Sequence, residues 1–399
     1  MNLVQQITAA NAGRDPQRLA LKYNKMRSSA FAFLRGSCQL FYERLPKNGI
    51  FRTAPLVWVC GDLHLENFGS YKGDNRLVYF DLNDFDEAAL APASWDLIRL
   101  LTSILVGADS TGLREVEAQT LCTAFLDSYF STLSSGKAYW LERDTAQGPI
   151  QTLLESLRTR QRAPYLDTRT TLKGKKRLLR IDGKKALPVS EQQRSTVTAF
   201  MADFAKTQTN PGFYDVLDVA QRIAGTGSLG LERYVILVNG KGSPNGNYLL
   251  DLKLAVPSSL TPFLTAAQPK WTTQAHRVVT LQQRLQAVSM AFLHPVRMGK
   301  KSYVLRGLQP SEDRVTLDRS SLSLSDFMTV IQTMGQLVAW AHLRSAGREG
   351  SASADGLIEF GQGKKWKDLL RQASQACAAQ VRTDADQFNA AYDEGAFAV

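Results

Sequence analysis

Histidine and cysteine are scarce in this chain of 399 residues, which contains four of each. The cysteines are scattered and none forms a CxxC pair, so neither a disulfide framework nor a structural zinc site is expected. The histidines are too widely separated for a histidine-based metal centre. Any metal chemistry must therefore depend on carboxylate and amide oxygens.

Long apolar runs are also missing. Segments such as SILVGA and LVWVC are far too short to span a bilayer, and the N-terminal stretch has no basic start followed by an apolar block. We therefore expect a cytoplasmic protein with no membrane partner. The length suits two lobes, and a content of 44% hydrophobic residues can supply a sizeable core.

Positive charge is in excess, because 48 Lys and Arg against 37 Asp and Glu give a net charge of +11. This balance favours an anionic partner such as a nucleotide, a phosphorylated substrate or nucleic acid. Much of the excess lies in residues 157–188, where RIDGKK predicts an Asp-Gly turn in a solvent-exposed hairpin. A nucleic-acid surface is the weaker alternative there, because Tyr165 is the one aromatic residue available for base stacking.

The hydrophobic periodicity predicts helices, then a β-rich middle, then helices again. Helices are expected over residues 28–45, SWDLIRLLTSILVG, LREVEAQTLCTAFLDSYFSTL, 190–209, 213–223, 275–292 and LSDFMTVIQTMGQLVAWAHLRSA. Strands are expected at PLVWVC, RLVYFDLN and KSYVLRGL, with a hairpin in LERYVILVNGKGSPNGNYLLDLKLAV. The predicted class is α+β, with mostly helical segments at 1–223 and 311–399 and a small antiparallel β lobe at 224–310.

Polar side chains cluster in CGDLHLENFG, residues 60–69, directly after a predicted buried strand. Phosphoryl transfer needs an aspartate that orients the accepting hydroxyl, and Mg²⁺ beside a phosphate takes only a few protein oxygens. Asp62 and Asn67 suit the base and a metal ligand. Asp84 or Asp81, associated with the next strand, suits a further metal ligand. The alternative is that these residues only cap helices and turns.

GDLHLENFG resembles the catalytic loop of the aminoglycoside phosphotransferase and choline kinase group, and more distantly that of protein kinases. The following DFDEAALAPASWDLIRL resembles the metal-binding segment of that group. The resemblance implies that Asp84 is the principal metal ligand and Asp86 an accessory one, with Asp81 as the second candidate for the principal role. It implies that Asp96 braces the catalytic loop. His64 stands where the phosphotransferases have a histidine, in a catalytic or a bracing role.

A kinase also needs a glycine-rich loop and a strand lysine, and here both follow the catalytic loop instead of preceding it. Lys253 lies in a predicted strand after a G-x-G-x-x-G pattern. The loop residues expected to contact phosphates are Gly225, Thr226, Gly227, Ser228 and Gly230. A Rossmann fold has the same spacing but requires a strand before the loop and a helix after it, whereas a helix is predicted before and a strand after. A plain glycine-rich turn is the remaining alternative.

This order predicts a circularly permuted kinase-like fold, because permutation changes connectivity and preserves packed contacts. In such a fold the GDLHLENFG and GTGSLG loops face one nucleotide, so Lys253 and Asp84 are expected to line the same cleft. In that arrangement, LVAWAHLRSAG is similar to the helix that leads into a kinase catalytic loop. The segments RSSAFAFLRG, GDLHLENFG, NDFDEAALAPASWDLIRL, GTGSLGLERY and AWAHLRSAG also resemble a bacterial family, domain of unknown function 2252. Arg35 and Arg99 belong to its motifs, and each is expected to bind phosphate or to pair with an acid such as Asp96.

The expected activity is an ATP- and Mg²⁺-dependent phosphoryl transfer to a hydroxyl of a small molecule or a protein. Lys253 lacks the helical glutamate of protein kinases, so a glutamine (Gln282, Gln283 or Gln286) or Asp251 is expected to orient it. Nucleotidyl transfer from ATP would use almost the same residues. The non-enzymatic alternatives are a weakly active pseudokinase and a nucleic-acid-binding module that uses the basic segment.

Overall fold

A computed structural model describes residues 2–310 and 313–398 of the chain. The helices are α1 (Leu3–Ala10), α2 (Pro16–Met26), α3 (Ala30–Gly36), α4 (Cys38–Arg44), α5 (Ile50–Thr53), α6 (Ala93–Thr111), α7 (Glu115–Ser135), α8 (Gly148–Arg158), α9 (Arg162–Asp167), α10 (Glu191–Lys206), α11 (Gln274–Leu285), α12 (Leu324–Arg344), α13 (Ala354–Gln362) and α14 (Lys365–Asp393). The strands are β1 (Leu56–Val59), β2 (Phe68–Lys72), β3 (Val78–Leu82), β4 (Ala89–Pro92), β5 (Thr170–Lys173), β6 (Lys176–Leu179), β7 (Ala186–Leu187), β8 (Val216–Arg222), β9 (Arg233–Val238), β10 (Tyr248–Leu254), β11 (His294–Met298) and β12 (Lys301–Gly307). The predicted boundary at residue 311 falls outside the described residues.

Helix α6 is the centre of the largest apolar core. It is buried on nearly every side and packs against α14, α7 and α3. Most of its residues are apolar, and such a helix has to be enclosed by other elements, which is the position that α6 occupies. The antiparallel pairs β1–β4 and β2–β3 belong to the same core. The loop between β1 and β2 is therefore anchored at both ends in packed structure.

The largest sheet in the described residues has six antiparallel strands in the order β11-β12-β10-β9-β8-β7. One face carries Val219, Ile236 and Leu252 and is covered by α10 through Val197 and Met201. Because side chains alternate along a strand, the neighbouring residues point to the opposite face. The mixed α+β class with antiparallel sheets is thus confirmed.

The opposite face of this sheet changes character along the strands. At one end, Ala220, Leu237 and Leu249 pack in an apolar cluster with residues of α9 and β6. At the other end, the same face carries charged residues, namely Arg222, Arg233, Asp251, Lys253 and Arg306. This charged end lies next to the segment that follows β3, because Lys253 contacts Asp84 and Asp86 there.

Several predicted elements are confirmed, including the helices at α6, α7, α10 and α12 and the β9–β10 hairpin. The helix expected over residues 28–45 is two helices, α3 and α4, which meet at Ser37. The helix expected at 275–292 ends at Leu285. The helix expected at 213–223 is wrong, because that segment forms a 3-10 turn followed by β8. Both faces of β8 are covered, so its buried residues do not show the simple alternation of a half-exposed strand.

The basic segment contains the short hairpin β5–β6, whose turn lies at Gly174. The predicted Asp-Gly turn also forms, but after this hairpin: the carboxylate of Asp182 accepts hydrogen bonds from the backbone N–H groups of Lys184 and Lys185. The hairpin prediction is therefore correct in type and displaced along the chain. Among the described residues, every helix falls short of the length and hydropathy that a bilayer crossing requires.

Candidate functional site

Asp96, on the first turn of α6, holds the start of the loop between β1 and β2. Its carboxylate accepts hydrogen bonds from the backbone N–H groups of Cys60 at 2.7 Å and Gly61 at 2.9 Å. His342 Nε2 of α12 lies 3.7 Å from the Oδ2 atom of Asp96. Asp96 therefore braces the β1–β2 loop, and His342 at the end of α12 lies against Asp96.

Asp62 is fixed by a buried arginine of α6. Its Oδ1 atom accepts hydrogen bonds from Arg99 Nε at 2.9 Å and Nη2 at 2.5 Å. The Arg99 side chain is 0% exposed, also donates to the carbonyl of Leu34, and lies over the ring of Phe41. Arg99 therefore pairs with an acid, which was one of its two expected roles, and that acid is Asp62 instead of Asp96. This contact orients the carboxylate and leaves its second oxygen, Oδ2, directed away from Arg99.

Asn67 joins the β1–β2 loop to the segment after β3. Its Nδ2 group donates to the carbonyl of Asp62 at 3.1 Å and to the carbonyl of Asp84 at 3.4 Å. The amide nitrogen is a hydrogen-bond donor, so the amide oxygen Oδ1 is the atom of Asn67 that can bind a cation.

Lys253 of β10 reaches the carboxylates that follow β3. Its Nζ atom lies 3.9 Å from Asp84 Oδ1 and in direct contact with Asp86 Oδ2. Desolvation by the surrounding protein acts to raise the pKa of Asp84, whose side chain is 53% exposed, but the charges of Lys253, Arg306 and Arg233 outweigh it and hold the pKa below its usual value. The site therefore favours the ionised form of this carboxylate.

The partners expected to orient Lys253 lie elsewhere. Gln282 donates to Gln286, and Gln286 donates to the carbonyl of Leu82. Asp251 shares the strand face with Lys253, but it binds arginines instead: Arg222 at 2.8 Å, Arg233 at 2.6 Å and Arg306 at 3.4 Å. The prediction was wrong because the acids that hold Lys253 come from a distant part of the chain.

The glycine-rich loop connects β8 to β9, so strands lie on both sides of it. Gly225 and Gly230 have φ values of 76° and 88°, which L side chains rarely adopt. A Cβ atom at Gly227 would lie 3.1 Å from the carbonyl oxygen of Arg35 and 3.8 Å from Asp62 Oδ2. Thr226 and Ser228 lie in the tight turn of this loop. The structure thus brings the loop against Asp62.

Three cations near the N-terminus bind backbone carbonyls of the glycine-rich loop and of Leu231, which follows it, contacts that the sequence reasoning missed. Arg14 donates to the carbonyls of Gly227 at 2.6 Å and Leu229 at 2.7 Å, and Lys22 donates to the carbonyl of Gly227 at 3.1 Å. Arg18 donates to the carbonyl of Leu231 at 2.8 Å. Arg18 and Lys22 lie four residues apart on α2, so their spacing was an available signal that places these two on one side of a helix, whereas Arg14 lies in the turn before α2.

His64 and Arg35 have supporting positions. The Nδ1 atom of His64 accepts a hydrogen bond from the backbone N–H of Glu66 at 3.1 Å. Burial, together with Arg35 and Arg99, holds the pKa of His64 well below its usual value, so the ring is neutral near pH 7. Arg35 likewise pairs with an acid, which is Glu66 at 2.7 Å. These contacts fix the shape of the loop.

Asp81, the second candidate for the metal ligand, is turned away from Lys253. Its carboxylate is buried, lies 3.1 Å from Arg344 and accepts a hydrogen bond from the backbone N–H of Leu82. Burial raises the pKa of Asp81, although the nearby Arg344 opposes this. Its role is that of an internal ion pair.

The oxygen donors at this site suit a Mg²⁺ ion that takes its remaining ligands from phosphate. Within the described residues, no group of three or more His, Cys, Asp or Glu side chains forms a metal cluster by itself. Asp84 and Asp86 supply two carboxylates and Asn67 an amide oxygen, which fits a cation that takes its other ligands from phosphate and water. The ammonium of Lys253 already lies against both carboxylates, so this position stabilises positive charge.

Comparisons with known proteins place the chain in a family. No curated protein and no solved structure matches it. The family described as "uncharacterized protein conserved in bacteria", domain of unknown function 2252, matches residues 14–391. That span includes Arg14, the β1–β2 loop, the glycine-rich loop and Lys253, and it covers nearly the whole chain. The chain therefore belongs to the bacterial family of domain of unknown function 2252.

Proposed function

We propose that this protein is an ATP- and Mg²⁺-dependent phosphotransferase with a circularly permuted kinase-like fold. The observation that carries the proposal is the contact of Lys253 with Asp84 and Asp86 beside a glycine-rich loop that touches Asp62. A strand lysine, two acids and a strand–loop–strand glycine segment are the parts that position phosphates and their metal in kinases.

The permuted connectivity is supported by α12. In ordinary kinase order, the β lobe leads through a helix into the catalytic loop. Here β12 leads towards α12, and His342 at the end of α12 approaches Asp96, which braces that loop. The helical lobe then comprises residues 1–223 and 311–399, and the β lobe is centred on 224–310, although its sheet also includes β7 and β8.

Nucleotide binding involves an exchange of ion pairs. In the protein alone, the ammonium of Lys253 pairs with Asp86 and lies 3.9 Å from Asp84 Oδ1. Lys253 would hold phosphate oxygens of a nucleotide, while Asp84, Asp86 and Asn67 would hold Mg²⁺. The glycines of the 225–230 loop would let its backbone approach the phosphates closely.

Asp62 is the base that orients the accepting hydroxyl. Arg99 holds Oδ1 in place, so Oδ2 is the oxygen that accepts the hydroxyl proton. The magnesium supplies charge stabilisation on the phosphates during transfer. Positioning and electrostatics carry most of this reaction. The protein therefore needs to hold the reacting groups in a fixed geometry more than it needs to shift the pKa of the base.

The test is the change in melting temperature on addition of MgATP, because a ligand that binds only the folded state stabilises it. We expect a rise for the wild type and a much smaller rise for Lys253→Ala and Asp84→Ala. Lys301→Ala is the matched control, since Lys301 belongs to the same sheet and its side chain is 60% exposed. An unchanged wild-type curve at saturating MgATP would remove the proposal. Product mass then separates phosphoryl from nucleotidyl transfer.

A further inference from the structure

The hairpin β5–β6 and the turn that follows it, residues 171–185, form a strongly basic surface that we call the basic hairpin. Its exposed cations are Lys173, Lys175, Lys176, Arg180, Lys184 and Lys185. Its one acid is Asp182, whose carboxylate already accepts hydrogen bonds from three backbone N–H groups of its own turn. The positive charge of this surface is therefore not balanced within the segment.

The rest of the described chain does not neutralise these cations either. None of the five lysines forms an ion pair or a side-chain hydrogen bond with a described residue. Arg180 donates to the carbonyl of Asp167 at 3.0 Å, which is a neutral partner. A concentration of unbalanced charge of one sign attracts a partner of the opposite sign.

Three large aliphatic side chains lie among the cations. Leu172, Leu178 and Ile181 are 49%, 37% and 48% exposed. Nine large hydrophobic side chains are exposed across the described residues, so a third of them fall within this short segment. A partner that offers only anionic groups would leave these aliphatic side chains in water, whereas a partner with an apolar layer beneath its charges would cover them.

The body of the protein holds the inner side of the basic hairpin. Arg177 is buried and donates to the carbonyl of Pro244 at 2.6 Å. The backbone N–H of Leu179 donates to the carboxylate of Asp218 at 2.8 Å. Residues that lie opposite each other in an antiparallel pair share a face, so the outer face carries Thr171, Lys173, Lys176 and Leu178. The outer face therefore has a fixed direction and combines charge with apolar surface.

We propose that the basic hairpin binds the surface of an anionic phospholipid membrane. The lysine ammonium groups contact lipid phosphates, while Leu178 and Ile181 enter the boundary between the headgroups and the acyl chains. The expectation of no membrane partner rested on the lack of spanning segments, whereas this contact lies on the membrane surface. The inference is independent of the proposed phosphotransferase activity.

A nucleic acid would account for less of this surface. Single strands need aromatic rings for base stacking, and Tyr165 is the one aromatic residue of the wider basic segment. Its ring is already covered by the guanidinium groups of Arg160 and Arg169, at 5.7 and 4.4 Å from the ring centre. Duplex DNA would use the lysines through its phosphates but would leave Leu178 and Ile181 exposed.

The test measures sedimentation of the full chain with vesicles of phosphatidylcholine, with and without phosphatidylglycerol. Lys173→Glu/Lys176→Glu reverses two charges of the outer face. Lys47→Glu/Lys300→Glu is the matched control, because these two lysines are also exposed and form no ion pair among the described residues. We expect the wild type to bind only the anionic vesicles, with affinity at least about tenfold weaker in the first variant and changed less than about twofold in the control.

Leu178→Ser/Ile181→Ser tests the apolar part of the contact, because it keeps every charge. We expect it to weaken binding to anionic vesicles by at least about fivefold and to leave binding to duplex DNA within about twofold of wild type. Melting temperatures close to the wild-type value show that the variants are folded.

Failure of the wild type to sediment with anionic vesicles would overturn the inference. Equal losses in the two lysine variants, or unchanged vesicle binding in Leu178→Ser/Ile181→Ser, would overturn it as well. Tighter binding to duplex DNA than to anionic vesicles, at equal phosphate concentration, would assign the surface to nucleic acid instead.

Discussion

The guanidinium of Arg99 and the carboxylate of Asp62 form a two-pronged contact, with Nε and Nη2 both bonded to Oδ1 at 2.9 and 2.5 Å. Arg99 is fully buried, whereas the Asp62 side chain is 21% exposed. The pair thus has one end in the core and one end that is open to solvent. This arrangement links the stability of the protein to the orientation of the proposed base.

Removal of Arg99 should destabilise the protein and misplace Asp62. Arg99→Ala breaks a mostly buried ion pair, so we expect the free energy of unfolding to fall by about 3–5 kcal/mol. Arg27→Ala is the control, because Arg27 pairs with Asp393 on the surface and an exposed pair contributes about 0–1 kcal/mol. Urea denaturation followed by circular dichroism measures both losses. Similar losses in the two variants would contradict the structural role of Arg99.

Asp62 and Asp84 should differ in their effect on nucleotide binding. Asp62→Asn should abolish turnover and leave MgATP affinity within about threefold of wild type, because the base contacts the acceptor. Asp84→Asn should weaken MgATP binding as well as turnover, because it removes a metal ligand. Calorimetric titration with MgATP and a coupled turnover assay measure the two effects. If both variants lost nucleotide affinity equally, the separate roles would be wrong.

The arginine cluster around Asp251 should make the free energy of unfolding decrease at acid pH. Burial alone would raise the pKa of Asp251, but Arg222, Arg233 and Arg306 hold it well below its usual value. A lowered folded-state pKa stabilises the protein above the unfolded-state value of about 3.9, and this stabilisation is lost as the pH falls further through the folded-state pKa. Asp251→Asn should therefore cost about 3–5 kcal/mol at pH 7 and less at pH 3.

The measurement is the free energy of unfolding of wild type and Asp251→Asn at pH 7, 5, 4 and 3. Asp203→Asn provides the control, since Asp203 forms an exposed pair whose side chains are 77% and 76% accessible. A difference between wild type and Asp251→Asn that stays constant down to pH 3 would contradict the assigned ionisation of Asp251.

A side chain at Gly227 should displace the glycine-rich loop. The added Cβ of Gly227→Ala would lie 3.1 Å from the carbonyl oxygen of Arg35, so the loop or this carbonyl has to shift by a few tenths of an ångström. We expect MgATP affinity to fall by about tenfold, with little change in unfolding free energy. Gly212→Ala is the control, because the nearest atom to its Cβ would be 3.8 Å away. Unaltered MgATP affinity in Gly227→Ala would show that the loop does not cover the nucleotide.

The sequence predicted the parts of the site that lie within one loop or one hairpin. Asp62, Asn67 and Asp84 are close in sequence, and short loops between packed strands bring such residues together. The β9–β10 hairpin was equally local, because a glycine- and asparagine-rich turn separates two β-type runs. Spacing was sufficient for both predictions.

Among the contacts that cross the molecule, one followed from the permuted order: Lys253 and Asp84 were expected to line one cleft, and Lys253 Nζ lies 3.9 Å from Asp84 Oδ1. The residues expected to orient Lys253, a glutamine or Asp251, were wrong, because its direct contact is with Asp86. Strand β8 was mistaken for a helix because tertiary packing covers both of its faces. The contacts of Arg14 with the glycine-rich loop likewise depend on the folded chain.

A crystal structure with Mg²⁺ and a non-hydrolysable ATP analogue tests the central claim most directly. The account predicts one nucleotide, with phosphates between the glycine-rich loop and Lys253, and with Mg²⁺ bound by Asn67 and Asp84. Lys253 should have moved from Asp86 to a phosphate oxygen. A nucleotide bound elsewhere, or phosphates that contact neither Lys253 nor a metal on Asp84, would contradict the permuted kinase-like phosphotransferase.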